Sequence, residues 1–201
     1  MKIPYIGEFC GATFLKSYAY FSQSTVGQFM TFTADCAVKT AKIVHPNDPV
    51  ERSVVEEKDP KYNVFLHWNR SGDNGGFVAV LIADDEYPQR VAHQLLNKVA
   101  EEFIVKHPKR TWEHATSNTT LPFPELNTYI VDWQKPEKAD AITRIQKELD
   151  ETKIVLHQTI ESVLERGQRI DELVAKSDNL SAQSKLFFKT AKNQNSCCVV
   201  M

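Results

Sequence analysis

Two groups of residues in this 201-residue chain could do chemistry, and both lie toward its C-terminal end. One is Arg166, a guanidinium on the apolar seam of a heptad repeat. The other is the run Cys197-Cys198-Val199-Val200-Met201. A guanidinium buried in a helical seam costs several kcal/mol unless its donors find acceptors. In a homodimer Arg166 would face its own like charge. The partners at that layer must therefore offer neutral acceptors, such as Gln or Asn amides, and a single polar seam residue of this kind fixes register. Cys198-Val199-Val200-Met201 fits a Cys-aliphatic-aliphatic-X box ending in Met, which favours farnesyl on Cys198. One prenyl chain gives only marginal membrane binding, so a second signal is expected. Cys197 is the candidate, as a reversible palmitoylation site. Asn193-Gln194-Asn195-Ser196 supplies a polar, accessible approach to the box. Lys185, Lys189 and Lys192, with no acidic residue after Asp178, add modest attraction to an anionic leaflet.

The seam that carries Arg166 is long. From Glu137 to Ser196 there is no proline, and the only glycine is Gly167. With Arg166 at d, the a positions are Ile142, Leu149, Leu156, Val163, Ile170, Ser177, Ser184 and Ala191. The d positions are Ile145, Thr152, Thr159, Arg166, Leu173, Leu180, Phe187 and Gln194. This register predicts one continuous coiled-coil helix over 142–194. Pairs such as Glu165 to Arg169 and Glu172 to Lys176 support it weakly, by roughly 0.2–0.5 kcal/mol each. Thr152, Thr159, Ser177 and Ser184 are small and polar. They suit a bundle whose partner side chains fill the gaps better than a homodimeric zipper. Gly167 costs about 1 kcal/mol against Ala and weakens the free helix, which fits a segment that folds on binding. The competing reading is an ordinary two-stranded coil from which Arg166 snorkels, beside an unmodified Cys197.

Composition narrows the setting. A net charge of −2 argues against a nucleic-acid surface. No signal peptide is visible, and no apolar stretch approaches the ~20 residues of a bilayer span, so membrane attachment is expected through lipid. Four cysteines, two of them at the terminus, do not make a disulfide framework and point to reducing cytosol. The sequons at Asn69, Asn118 and Asn179 then read as chance.

Upstream, residues 1 to about 110 read as a compact α+β unit. Lys2 to Cys10 and Thr13 to Tyr20 look like a hairpin. Val26 to Ile43 has helical spacing after a plausible Ser24-Thr25 cap. Arg52 to Glu57, Tyr62 to Trp68 and Phe77 to Ala83 read as strands, the last two joined by the Gly-rich loop 71–76. Pro88 opens a helix over Gln89 to Lys106, with Val91, Leu95, Leu96, Val99 and Phe103 on one face. Pro122-Phe123-Pro124-Glu125 starts a short helix through Val131. Residues 107–121 and 134–141 read as linkers. The division is 1–133 for the folded domain, 134–141 for a linker, 142–194 for the coiled-coil motif and 195–201 for the lipidation tail.

None of this is a catalytic constellation. The six histidines are scattered without metal-ligand spacing. No Gly-x-x-x-x-Gly-Lys loop exists, which disfavours the small GTPases, another prenylated class. Asp84-Asp85-Glu86 reads as a solvated strand end. No enzyme activity, metal or cofactor is expected beyond the two covalent lipids. A domain without chemistry, ahead of a lipid-anchored coiled coil, reads as a regulatory or docking module.

The chain closely resembles the YKT-six type of prenylated longin R-SNARE, in the synaptobrevin-homolog family, over essentially its full length. The resemblance rests on Ser24 to Phe32, Asp85-Glu86-Tyr87-Pro88, Leu95-Leu96-Asn97-Lys98, Ile145 to Lys153, Val163-Leu164-Glu165-Arg166-Gly167 and the double cysteine. It implies a longin fold, a five-stranded antiparallel sheet with one helix on one face and two on the other, followed by a long R-SNARE helix. Arg166 would form the ionic layer of a four-helix bundle with three glutamine-type SNARE helices. Phe32 would be the residue through which the longin domain holds its own SNARE segment in a closed, monomeric, soluble form. The implied function is vesicle fusion in ER–Golgi, Golgi and endosomal or vacuolar transport, at the cytosol and the cytoplasmic face of those membranes, with recycling by the SNARE disassembly machinery. Two alternatives remain open. One is acyltransferase activity of the longin domain, against which Cys10 and Cys36 read as core residues. The other is a lipid-anchored coiled-coil tether with no role in fusion.

Overall fold

Phe77 to Ala83 is apolar at every position and buried at every position. A strand apolar on both faces must lie inside a sheet covered on both sides. The computed structural model describes residues 5–10, 13–19, 25–44, 52–58, 61–69, 77–112, 121–136, 154–157, 169–177, 180–186 and 189. In it, Phe77–Asp84 is a central strand, β5. The others in chain order are β1 (Tyr5–Cys10), β2 (Thr13–Ala19), β3 (Arg52–Lys58), β4 (Lys61–Asn69) and β6 (Ile154–His157). They lie in the order β2-β1-β5-β4-β3-β6. All neighbours are antiparallel except β6, which runs parallel to β3 with Ile154 opposite Arg52 and His157 opposite Val55.

Alternation along β4 and β5 assigns the two faces. Phe65, Phe77, Ala79, Leu81 and Ala83 point to a layer made by α2 (Gln89–Lys106) and α3 (Glu125–Asp132). Val91, Leu95, Leu96, Val99 and Phe103 of α2 are all buried there, as their helical spacing requires. Aromatic rings fill the end of this core. Phe77 meets Phe103 at 5.1 Å and Trp112, edge-on, at 5.4 Å. Their polar neighbours are satisfied: Trp112 Nε1 donates to the His107 carbonyl (3.0 Å) and the Tyr87 hydroxyl to the Trp133 carbonyl (2.9 Å). On the opposite face, Val64, Leu66, Trp68, Val78, Val80 and Ile82 pack against α1 (Thr25–Val44).

The α+β class and the longin layering are therefore as expected, with the five expected strands joined by a sixth from the C-terminal segment. Among the described residues, the expected continuous helix over 142–194 is interrupted. Residues 154–157 are strand. A seven-residue helix, α4 (Ile170–Lys176), stops at Ser177, and a separate helical turn occupies residues 182–186. The reason is burial. A lone heptad helix would leave its seam in water, whereas the sheet edge and the α1 face offer apolar and hydrogen-bonding surface at once. Ile154 and Val155 are β-branched and suit a strand. Ser177, Asp178, Asn179 and Ser181 are poor interior helix residues and good caps, so a break between α4 and the turn is cheap.

Candidate site: the α1 face and the folded-back segment

On α1, six of the seven residues from Phe32 to Val38 are buried, Asp35 being the exception. One apolar stripe facing a sheet would bury fewer. The additional cover comes from the C-terminal segment. Phe32, Ala34, Cys36, Ala37 and Val38 form one cluster with the β4 and β5 side chains and with Val174 and Leu180, which are 4% and 5% exposed. Met30, Ile170 and Leu173 pack at its margin. The segment thus adds the seam residues Ile170, Leu173 and Leu180, with Val174, to the apolar cluster that α1 shares with the sheet, and its Ser184 reaches α1 through Gln28.

Polar contacts finish the site. The Gln28 side-chain oxygen accepts the Ser181 backbone N–H at 3.2 Å and the Ser184 hydroxyl at 2.7 Å, and Ser184 is fully buried. Ser181 caps the turn it begins, its Oγ accepting the Ser184 N–H at 3.2 Å. Lys185 Nζ reaches back to the Ala175 carbonyl at 2.9 Å and ties the turn to α4. Further along, Leu156 stands opposite Val54 in the β3–β6 register.

The structure thus brings Phe32 together with Ile170, Leu173, Leu180 and Ser184, and leaves Ser177 half-buried at the end of α4. Arg166, Cys197 and Cys198 lie outside the described residues. So do Ile142, Ile145, Leu149, Thr152, Thr159, Val163, Phe187, Ala191 and Gln194, and the Gly-rich loop 71–76. Two residues at this site were not singled out from sequence. Val174 sits at heptad position e, where a seam reading expects a flank. Gln28 is polar, but it stands four residues before Phe32 and so on the same helical face, a signal that could have found it.

The other face of the sheet carries a buried polar group. Arg52 and His67 are register partners on β3 and β4, and His93 of α2 meets Phe65 edge-on at 5.6 Å. Burial, then the Arg52 charge, lowers His67 to about 4. Burial, Arg52 and His67 together lower His93 to about 3. His67 Nδ1 and both ring nitrogens of His93 lack hydrogen-bond partners, which fits neutral imidazoles. On α3, burial and the hydrogen bond to Glu102 raise the phenol of Tyr129. Cys36 is buried in the α1 core. Among the described residues no group of three or more His, Cys, Asp or Glu could hold a metal. No helix among them is long and apolar enough to cross a membrane.

The arrangement is a folded domain with a heptad-bearing segment returned onto it. Residues 15–130 match the family model of the longin, or regulated-SNARE-like, domain, and residues 141–199 match that of synaptobrevin. A longin unit that carries a synaptobrevin segment defines the class, a longin-domain R-SNARE. The protein described as "Synaptobrevin homolog YKT6" in Yarrowia lipolytica is 49% identical, with all of both chains aligned. The one in Schizosaccharomyces pombe is 46% identical over 95% of this chain and 90% of its own length, and that of Saccharomyces cerevisiae 42% over all of both. The chain belongs to this YKT6 family of synaptobrevin homologues. As an R-SNARE its partners are other SNARE proteins.

Proposed function

We propose that this chain is a lipid-anchored fusion protein whose longin domain holds its own SNARE segment until partners compete for it. In the released state, 142–194 forms a continuous helix in a four-helix bundle with three glutamine-type helices. Arg166 supplies the charged layer among their amides, and the SNARE disassembly machinery returns the chain to its monomeric closed form. Cys198 carries farnesyl and Cys197 palmitoyl, so membrane residence is reversible. Vesicle fusion in ER–Golgi, Golgi and endosomal or vacuolar transport, between the cytosol and the cytoplasmic faces of those membranes, is the corresponding role. Its mechanism is mechanical rather than enzymatic. Zippering buries the seam and draws two membranes together.

The observation that carries this reading is which residues of the segment lose solvent: Leu180 and Ser184 are buried, and Ile170 and Leu173 are partly buried. All four fall on one heptad seam, whose apolar members join the cluster that holds Phe32 and whose Ser184 is bonded to Gln28. A segment whose assembly face is occupied cannot at the same time pack on partner helices.

The test mixes the full chain with three candidate glutamine-SNARE helices and follows helicity and SDS-resistant complex. Wild type should assemble slowly and Phe32→Glu fast, because a carboxylate at that buried position expels the segment. Arg166→Leu should lose register or disassembly control. Assembly with itself alone, and none with distinct partners, would return the tether reading. Equal rates for wild type and Phe32→Glu would remove the closed form.

A further inference from the structure

We infer that Gln28 is a positioning residue that latches the C-terminal part of the seam onto α1, independently of the β3–β6 pairing that holds the segment upstream. This rests on the folded-back form proposed above and assigns one of its fastenings to a single amide.

The geometry is specific. One acceptor, Gln28 Oε1, takes two donors from one short turn, the Ser181 N–H at 3.2 Å and the Ser184 hydroxyl at 2.7 Å. The turn is organised to offer both. Ser181 Oγ accepts the Ser184 N–H at 3.2 Å, and its hydroxyl lies 3.1 Å from that of Ser184. Capping the turn therefore fixes where both donors point. Ser184 is fully buried, so if Gln28 is lost its hydroxyl has no water to turn to and keeps only the Ser181 hydroxyl as a partner. Phe32, one helical turn along α1 from Gln28, belongs to the same apolar cluster as Leu180. The latch and the apolar contact thus act on neighbouring parts of the same segment.

The position of Ser184 gives the latch its consequence. It is an a residue of the heptad, facing partner helices in any bundle. A partner that packs there must first displace the Gln28 amide. The strand β6, by contrast, is held by backbone pairing to β3 at its own end of the segment. The two ends can therefore be released separately. Losing Gln28 frees the turn at 182–186 and leaves 154–157 paired.

Amide hydrogen exchange on the full chain reads both ends at once. The chains compared are wild type, Gln28→Leu, Gln28→Glu and Phe32→Glu. Gln28→Leu keeps the bulk and removes the acceptor. It should speed exchange at Ser184 and Lys185 by about tenfold, with 154–157 unchanged. Gln28→Glu retains an acceptor oxygen at the same reach and should restore wild-type protection. Equal effects of Leu and Glu, whether both fast or both silent, would overturn the latch, since bulk or nothing would then explain the site. Gln28→Leu that loosens 154–157 as much as 182–186 would overturn it as a separate fastening. Phe32→Glu separates the two levels. If it releases the segment while Gln28→Leu does not, only the latch fails. If Phe32→Glu leaves every window protected, the folded-back reading itself fails.

Discussion

Val174 offers a way to loosen the folded-back segment without touching the face that would meet partners. It is 4% exposed, inside the cluster that holds Phe32 and Leu180, yet it stands at heptad position e. Val174→Ala removes two methylene equivalents. At about 0.8 kcal/mol each that is about 1.6 kcal/mol of lost transfer free energy, and a partly relaxed cavity brings it to roughly 2 kcal/mol. If docking of α4 is an equilibrium of its own, the undocked population rises roughly 30-fold. Amide exchange across Ile170–Lys176 should accelerate by that factor in the full chain. The amides of β5, which lie in the sheet centre, should not change. Leu173→Ala is the matched comparison. Leu173 is half-buried at the same site but lies on the seam, so its loss should loosen docking less and weaken an assembled bundle more. Val174→Ala with unchanged exchange in α4 would mean that the burial contributes nothing to docking. Acceleration spread equally into β5 would mean that docking is not separable from the fold. Either result refutes the reasoning.

Acid should destabilise the domain through His67 and His93. Both folded-state pKa values lie below the ordinary 6.5, at about 4 and about 3. Between those values and 6.5 the unfolded chain binds more protons than the folded one. Stability is thus full above about pH 6.5 and falls as pH drops, by about 1.4 kcal/mol per pH unit per histidine. Urea titrations from pH 7 to 4 should show this limb, and His93→Phe, which keeps a ring against Phe65, should reduce its slope by about half. Tyr87→Phe should cost about 1–2 kcal/mol in the same urea assay, because it leaves the Trp133 carbonyl without its donor. No loss would mean that water replaces the phenol there.

Much of the domain was legible because its elements state their own limits. Phe77 to Ala83 is a short apolar run with three β-branched residues between Gly75-Gly76 and Asp84-Asp85, and that length and those flanks favour an interior strand. Pro88 marks where α2 can begin, and the Val91-Leu95-Val99-Phe103 spacing carries it to Lys106. The three-four spacing also named Ile170, Leu173, Leu180 and Ser184 as residues that want burial, and among the described residues these are buried or partly buried. What periodicity could not supply is the surface on which the seam lies. A heptad says which side chains want burial and leaves open whether three helices or a sheet and a helix bury them. Val174 was missed because the apolar cluster shared by α1 and the sheet takes an e residue as well as the seam. The strand at Ile154–His157 was missed because a short apolar run with two β-branched residues fits helix and strand equally. Tertiary pairing with the β3 edge decides between them.

That ambiguity has an energetic side. Ile170, Leu173, Leu180 and Ser184, which the folded-back form covers wholly or in part, are seam residues that a bundle would also bury. Release therefore uncovers two surfaces together: the apolar side of α1 around Phe32, and the edge of β3 with its unpaired N–H and C=O groups. Neither is stable in water for long, and an open β3 edge is a template for pairing with another chain. The segment itself gains little from helix formation alone, given Gly167 and its small polar seam residues. An open chain without partners is thus the least favourable state on both sides. The equilibrium should run between folded-back and assembled forms with little in between, and a ligand shifts it only by its differential affinity for the two. A partner that engages only the N-terminal seam meets the β6 pairing first. One that engages the C-terminal seam meets Gln28 and Val174. Which contact gives way first is then set by the end at which partners arrive, and the order of exchange in 154–157 and 182–186 during assembly will report it.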